Sequence, residues 1–303
     1  MCGQTFSARR GTALEGLRTA EEGVMKVMIL LASGCPRQAI VHAFGLDERT
    51  IAAWQKRAGK HCQQVHEAVV ENGKVDSHHV QADEIRVKGW KMIAWMGLAI
   101  EGSTRLWLAG VVSVHRAKAL ADRLLQRVRA CCQGIQALLI CTDGWNAYPK
   151  SIMRAFREKV KKTAGRGRAC LEVWPDLCIA TVIKRTEKKR VVEVTRKLTW
   201  GTLEKAQHLL KTTVGCQEFN TSLIERFTGT MRERLAALTR KCRHAAHRAS
   251  DAGNGNVLDW MHLQFLLPAS RTLPNHASWL CWYSGHGCRI DGSYLDGSGG
   301  LHL

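Results

Sequence analysis

Apolar residues along this chain recur with two distinct periods. Over 220–238, Ile224, Phe227, Met231, Leu235 and Leu238 fall three or four residues apart. That spacing predicts a helix with one face packed on a core. At about 100° per residue, positions seven apart differ by only ~20° around the axis. Glu225 and Arg232 therefore share a face beside the apolar stripe, and Asn220 suits the N-cap. Residues 80–87 are rich in β-branched side chains and predict a strand with Asp83 in its middle. Residues 137–141 form a short continuous apolar run, as expected of a strand buried on both faces. Asp143 stands at that strand's carboxyl end, where open α/β sheets place their sites.

The remaining pattern fills in around these segments. A strand over 78–88 and apolar segments 91–101 and 105–114, the last two divided by Gly102-Ser103, predict a three-stranded antiparallel meander. A helix over 117–132 crosses to a strand at 136–143, and a helix over 146–158 follows. Segments 178–184 and 190–198 predict a β-hairpin, inserted before a helix over 202–212. The class is α/β, a mixed sheet flanked by helices, preceded by an all-α module. In that module one short helix runs from Pro36 to Val41, Gly45 turns the chain, and Asp47 caps a second helix carrying Ile51 and Trp54. The spacing Val41, Gly45, Ile51, Trp54 is that of a helix-turn-helix. The second helix and its end expose Arg49, Lys56, Arg57 and Lys60, which suit the major groove and flanking phosphates. A generic helical hairpin with solvated basic residues is the alternative.

Charge narrows the partners. The 303 residues include 45 Lys+Arg and 26 Asp+Glu, a net charge of +19. So much positive charge on a chain that is 45% hydrophobic points to a folded protein meeting a polyanion. The apolar stretch 24–32 is too short to cross a membrane and carries Lys26, and no secretory signal is visible. Twelve cysteines in that context predict reduced thiols in a cytosol.

The candidate chemistry lies in three carboxylates. A strand Asp, a strand-end Asp and a helix Glu offer three hard oxygen ligands, the donor set of a Mg²⁺ site. Ordinary surface charges on the 220–238 helix are the rival reading. The segments Gln81-Ala82-Asp83-Glu84, 142–148 and 220–232, continued by Leu238-Thr239-Arg240-Lys241, resemble those of bacterial insertion-sequence transposases of the DDE type, closest to the IS-one kind. The resemblance runs from about Cys2 to about Leu280. It implies an RNase H-like catalytic domain over 75–280 behind a helix-turn-helix module over 20–70. It implies two Mg²⁺ ions, replaceable by Mn²⁺, held by Asp83, Asp143 and Glu225, with Glu84 outside the ligand set. It also implies Arg232 on a phosphate near the scissile bond, and DNA contacts from Arg240 and Lys241. The implied partners are double-stranded DNA, as element terminal inverted repeats and as target, and further copies of the chain in a synaptic complex. The implied location is the bacterial cytoplasm, at the nucleoid. The implied reaction is cleavage at element ends and strand transfer. A structure-specific nuclease of the same fold and a catalytically dead helix-turn-helix regulator are the alternatives.

Other segments carry less. Residues 1–19 resemble the end of a zinc ribbon, but Cys2 stands alone and no zinc is expected. The basic, glycine-containing loop 161–168 suits either phosphate contact or solvation. His244 and His247 continue a basic helix. Cys281, His286 and Cys288 lie in a glycine-rich tail, 281–303, expected to be poorly ordered.

Overall fold

The computed structural model describes residues 9–88, 93–161, 169–188, 190–234 and 238, with three short strands near the C-terminus. The chain divides into two compact units, one of Met1–Ala68 with Glu233–Ala236 and Asn254–Leu303, the other of Val69–Arg232 with Ala237–Gly253. Cys2, Arg240, Lys241, His244, His247, Cys281, His286, Cys288 and most of the 161–168 loop lie outside the described residues. Within the C-terminal tail, Arg289–Ile290, Ser293–Leu295 and Leu301–His302 pair as antiparallel strands.

The N-terminal part of the first unit, up to Ala68, is helical. α1 (Glu21–Ala32) buries Val24, Met25, Val27, Met28 and Leu31, so the apolar stretch is a core helix. α2 (Arg37–Phe44) stops at Gly45, whose φ of 64° is the left-handed conformation that glycine adopts at least cost. α3 (Glu48–His66) starts where Asp47 Oδ1 accepts the Arg49 N–H at 2.7 Å. Ile40, Ile51 and Trp54 join one buried cluster with α1. Arg49, Lys56, Arg57 and Lys60 are all exposed, and Arg57 donates to the Glu15 carbonyl. No helix among the described residues is long and apolar enough to cross a membrane.

The second unit is a six-stranded mixed sheet flanked by helices. Its strands are β1 (His79–Lys88), β2 (Ile93–Glu101), β3 (Trp107–Ser113), β4 (Leu138–Asp143), β7 (Leu177–Glu187) and β8 (Arg190–Trp200), in the order β3-β2-β1-β4-β7-β8. β1, β2 and β3 form the antiparallel meander, while β4 runs parallel to both β1 and β7. The segment expected as an inserted hairpin is therefore part of the central sheet. Leu177 to Val182 are buried on both faces, and only the remainder is open to solvent. A small antiparallel pair, β5 (Arg157–Val160) with β6 (Cys170–Val173), replaces the expected last turn of the 146–158 helix.

α4 (Lys118–Cys131) and α5 (Ala147–Ala155) cover one face of the sheet. Leu120, Ala121, Leu124, Leu125 and Val128 repeat at helical spacing and meet Val80, Ala82, Ala99, Leu108, Leu138 and Ile140 in one core cluster. α6 (Leu203–Val214) lies on the other face, with Leu209 and Leu210 in a cluster with Leu139, Cys141, Cys178 and Ala180. α7 (Ser222–Arg234) buries Ile224, Thr228 and Met231. Phe227 of the expected stripe is only partly buried, Leu238 is buried, and Leu235 lies outside the described residues.

Leu124 is the test of this architecture, because it fills the space left by Gly97 on β2. Leu124→Ala should lower unfolding free energy by about 2–5 kcal/mol, as deletions of buried leucines do. Urea unfolding measures it, and a loss below ~1 kcal/mol would mean that α4 does not pack as described.

Candidate metal centre

Strand alternation decides which side chains can meet. The β1–β4 register pairs His79 with Leu139 and Gln81 with Cys141. Successive residues of a strand face opposite sides. Gln81 and Asp83 thus share a face with Cys141 and Asp143, while Glu84 points to the α4–α5 side. At the carboxyl end of β4 the two sides meet. There, carboxylate oxygens of Asp83, Glu84 and Asp143 all lie within 4.8 Å of one another.

Each carboxylate is held differently. Asp83 Oδ1 accepts the Glu84 N–H at 2.8 Å, and Asp143 Oδ1 accepts the Trp145 N–H at 3.1 Å. Glu84 is buried. Its Oε2 accepts from the Tyr148 hydroxyl at 2.9 Å, and its Oε1 pairs with Arg116. Arg116 also stands 3.8 Å from Asp143 Oδ2, and its guanidinium lies 4.7 Å from the Trp145 ring centre and 5.2 Å from that of Trp95. Two aromatic faces thus hold a cation between two of the acids.

Glu225 reaches this corner from α7, and one buried amide sets its position. Gln81 Oε1 accepts the N–H groups of Leu223 at 3.1 Å and Ile224 at 3.0 Å, and its Nε2 donates to the Asn220 carbonyl at 2.9 Å. The first N–H groups of a helix have no partner within it. Here a strand residue supplies one, fully buried. The expected cap, Asn220, sits two residues ahead of the helix instead, and its Oδ1 accepts from the Ser222 N–H and hydroxyl. Glu225 Oε1 then takes the Thr221 hydroxyl at 2.5 Å and the Lys184 ammonium of β7. Its carboxylate therefore stands outside the three-acid cluster, although its charge is felt at Asp83. Arg232 is half-buried two turns further along α7.

Electrostatics explains why this corner suits a cation. Burial, with the charges of Glu84, Asp143 and Glu225, raises Asp83 to a pKa of about 7. Burial also raises Glu84 and Asp143, partly offset by Arg116. Among the described residues, Arg116 pairs with Glu84 and stands near Asp143, and Lys184 pairs with Glu225, while Asp83 feels the charges of the other three acids. The clustered carboxylate oxygens are the donor type that hard divalent cations take. Asp83, Asp143 and Glu84 offer oxygens directly, whereas the Glu225 carboxylate is paired with Lys184.

Gln81 gives the first test. Gln81→Leu keeps the bulk but leaves the buried Ile224 N–H and the part-buried Leu223 N–H without Gln81, at a cost of about 1–3 kcal/mol for the buried one and less for the other. Urea unfolding should show the loss, and hydrogen exchange at Leu223 and Ile224 should quicken. Unchanged exchange would mean that Gln81 does not hold the helix. Asp83 gives the second. Its folded pKa of about 7 lies above the ordinary 3.8, so the folded state keeps a proton that the unfolded chain gives up. That contribution to stability is whole below pH ~4 and is lost as pH rises to ~7. In chelator, Asp83→Asn should therefore raise Tm at pH 8, with the gain fading toward pH 4. A gain independent of pH would show that another group titrates.

Among known proteins, no family model and no curated protein matches this chain.

Proposed function

We propose that this protein is a DNA transposase of the DDE type, with an RNase H-like catalytic domain and an N-terminal helix-turn-helix module. The observation that carries this reading is the convergence of Asp83 and Glu84, in the middle of β1, with Asp143 at the carboxyl end of β4, and with Glu225 keyed to β1 through Gln81. The net charge of +19 and the exposed row Arg49, Lys56, Arg57 and Lys60 support a polyanionic partner.

Asp83, Asp143 and Glu225 would hold two Mg²⁺ ions. When bound, such ions activate a water or a 3′-hydroxyl for in-line attack and stabilise charge on the phosphodiester. Asp residues on strands suit this task because a short side chain keeps its carboxylate close to a rigid backbone. Arg116 and Tyr148 fix the Glu84 carboxylate, while the Glu84 backbone N–H donates to Asp83 Oδ1. Arg116 limits repulsion between Glu84 and Asp143 without filling the corner. Arg232 would grip a phosphate beside the one attacked, and the first unit would choose the DNA end. Cleavage frees a 3′-hydroxyl, and the same residues then orient that hydroxyl toward target DNA.

Labelled element ends, full-length protein and Mg²⁺ provide the assay. Asp83→Asn, Asp143→Asn and Glu225→Gln should each abolish cleavage while leaving duplex binding nearly intact. Mn²⁺ should replace Mg²⁺, Ca²⁺ should permit binding with little cleavage, and chelator should stop the reaction. A triad variant that cleaves normally would remove that residue from the site. Cut but unjoined products would favour a nuclease of the same fold. Arg232→Ala should slow cleavage strongly, and Arg232→Lys should recover part of the rate, since charge survives but the bidentate fork does not.

A further inference from the structure

Strands β7 and β8 outrun the sheet they belong to. β4 ends at Asp143, opposite Val182, so residues beyond Val182 pair only with β8. Ile183 to Glu187 are all exposed, as are Arg190 to Glu193 across from them. Along β7, Ile183 to Glu187 alternate faces and none is covered, although a strand with one covered face would bury every second residue. On β8 a bulge at Val192 interrupts the pairing, and Val191 and Val192 are 55% and 53% exposed. This segment is a two-stranded ribbon with both faces open. At ~3.4 Å per residue, 183–187 carries it ~17 Å past the end of β4.

The ribbon is anchored at its root and charged along its length. Lys184 holds Glu225, while Arg196 donates to the Phe219 carbonyl at 3.0 Å and pairs with Glu218 at 3.0 Å. Toward the tip, Arg185 pairs with Glu187 at 2.8 Å, whereas Lys188 and Arg190 are exposed with no acidic partner among the described residues. From Lys184 to Lys197 the sequence holds seven Lys or Arg against two Glu.

We infer that this ribbon is a duplex-binding arm, seated in the major groove, with Lys188 and Arg190 on flanking phosphates. A major groove about 12 Å wide admits a two-stranded ribbon. The arm starts one residue past Val182, the partner of Asp143, so a duplex held along it runs by the carboxylates. The inference deepens the DNA-processing reading of that corner and rests on it.

The test is fluorescence anisotropy of the full chain on a random-sequence duplex in chelator, over a range of salt. Lys188→Glu/Arg190→Glu should weaken binding by about a hundredfold near 0.1 M salt, ~tenfold per lost phosphate contact, and should reduce the log–log salt slope by about two. A control of equal charge change far from the arm, Arg105→Glu/Arg123→Glu, should alter binding several-fold less. Both variants should keep the wild-type Tm, since all four residues are exposed. Equal losses in the two variants would reduce the effect to net charge and overturn the arm. So would an unchanged slope in the Lys188/Arg190 variant, or equally strong, arm-dependent binding of polyglutamate. Wild-type protein that ignores duplex altogether would overturn both the arm and the DNA reading. Arm-dependent binding without any Mg²⁺-dependent cleavage would uphold the arm and sink only the catalytic reading.

Discussion

The buried amide of Gln81 is the interaction on which the candidate site depends. Glu225 lies 142 residues along the chain from Asp83, and nothing local relates them. Gln81 closes that distance by placing a side-chain oxygen on two helix N–H groups and a side-chain N–H on a carbonyl just ahead of them. All of these groups are buried or part-buried, so an unmade bond there would have little water to replace it. The helix start is therefore fixed in register against β1, two residues from Asp83. Arg196 and Lys184 add a second brace from β7 and β8, holding the segment before α7 and Glu225 itself.

Charge at the corner works against the fold and is confined there. Asp83 keeps a proton to a pKa of about 7, as a buried carboxylate among carboxylates must. Arg116, packed between Trp95 and Trp145, and Tyr148 under Glu84 hold the cluster together without neutralising it. Such partly relieved repulsion is a cost to the fold, and a bound cation would offset it.

Much of this arrangement was legible in the sequence. The meander, the strand ending at Asp143 and the helix carrying Glu225 each had a clear period. Segment 177–182 showed the same continuous apolar run as 137–141, which is the mark of a strand covered on both faces, yet its place in the central sheet emerges only from pairing with β4. β5 was hidden because Arg157-Glu158-Lys159 has no apolar period, and its strand form comes from pairing with β6. Gln81, Arg116, Tyr148 and Lys184 could not be read as site residues. Each acts through a partner at least 32 residues away, and a polar residue in a strand looks the same whether it caps a helix or faces water. The sequence ranks Glu84 behind Asp83 as a ligand, and in the structure one oxygen from each, with one from Asp143, lie within 4.8 Å of one another.

β8 is also the outer edge of the sheet, and it is eleven residues long. An edge of that length offers a row of backbone donors and acceptors to any other extended chain, and Val191, Val192 and Trp200 add exposed apolar surface beside it. Arg190, Arg196 and Lys197 along the same strand make two such edges repel. The protection is electrostatic and the template is not. Strong salt screens the first and leaves the second, so edge-to-edge self-association is the hazard this protein carries whenever its positive charge is masked.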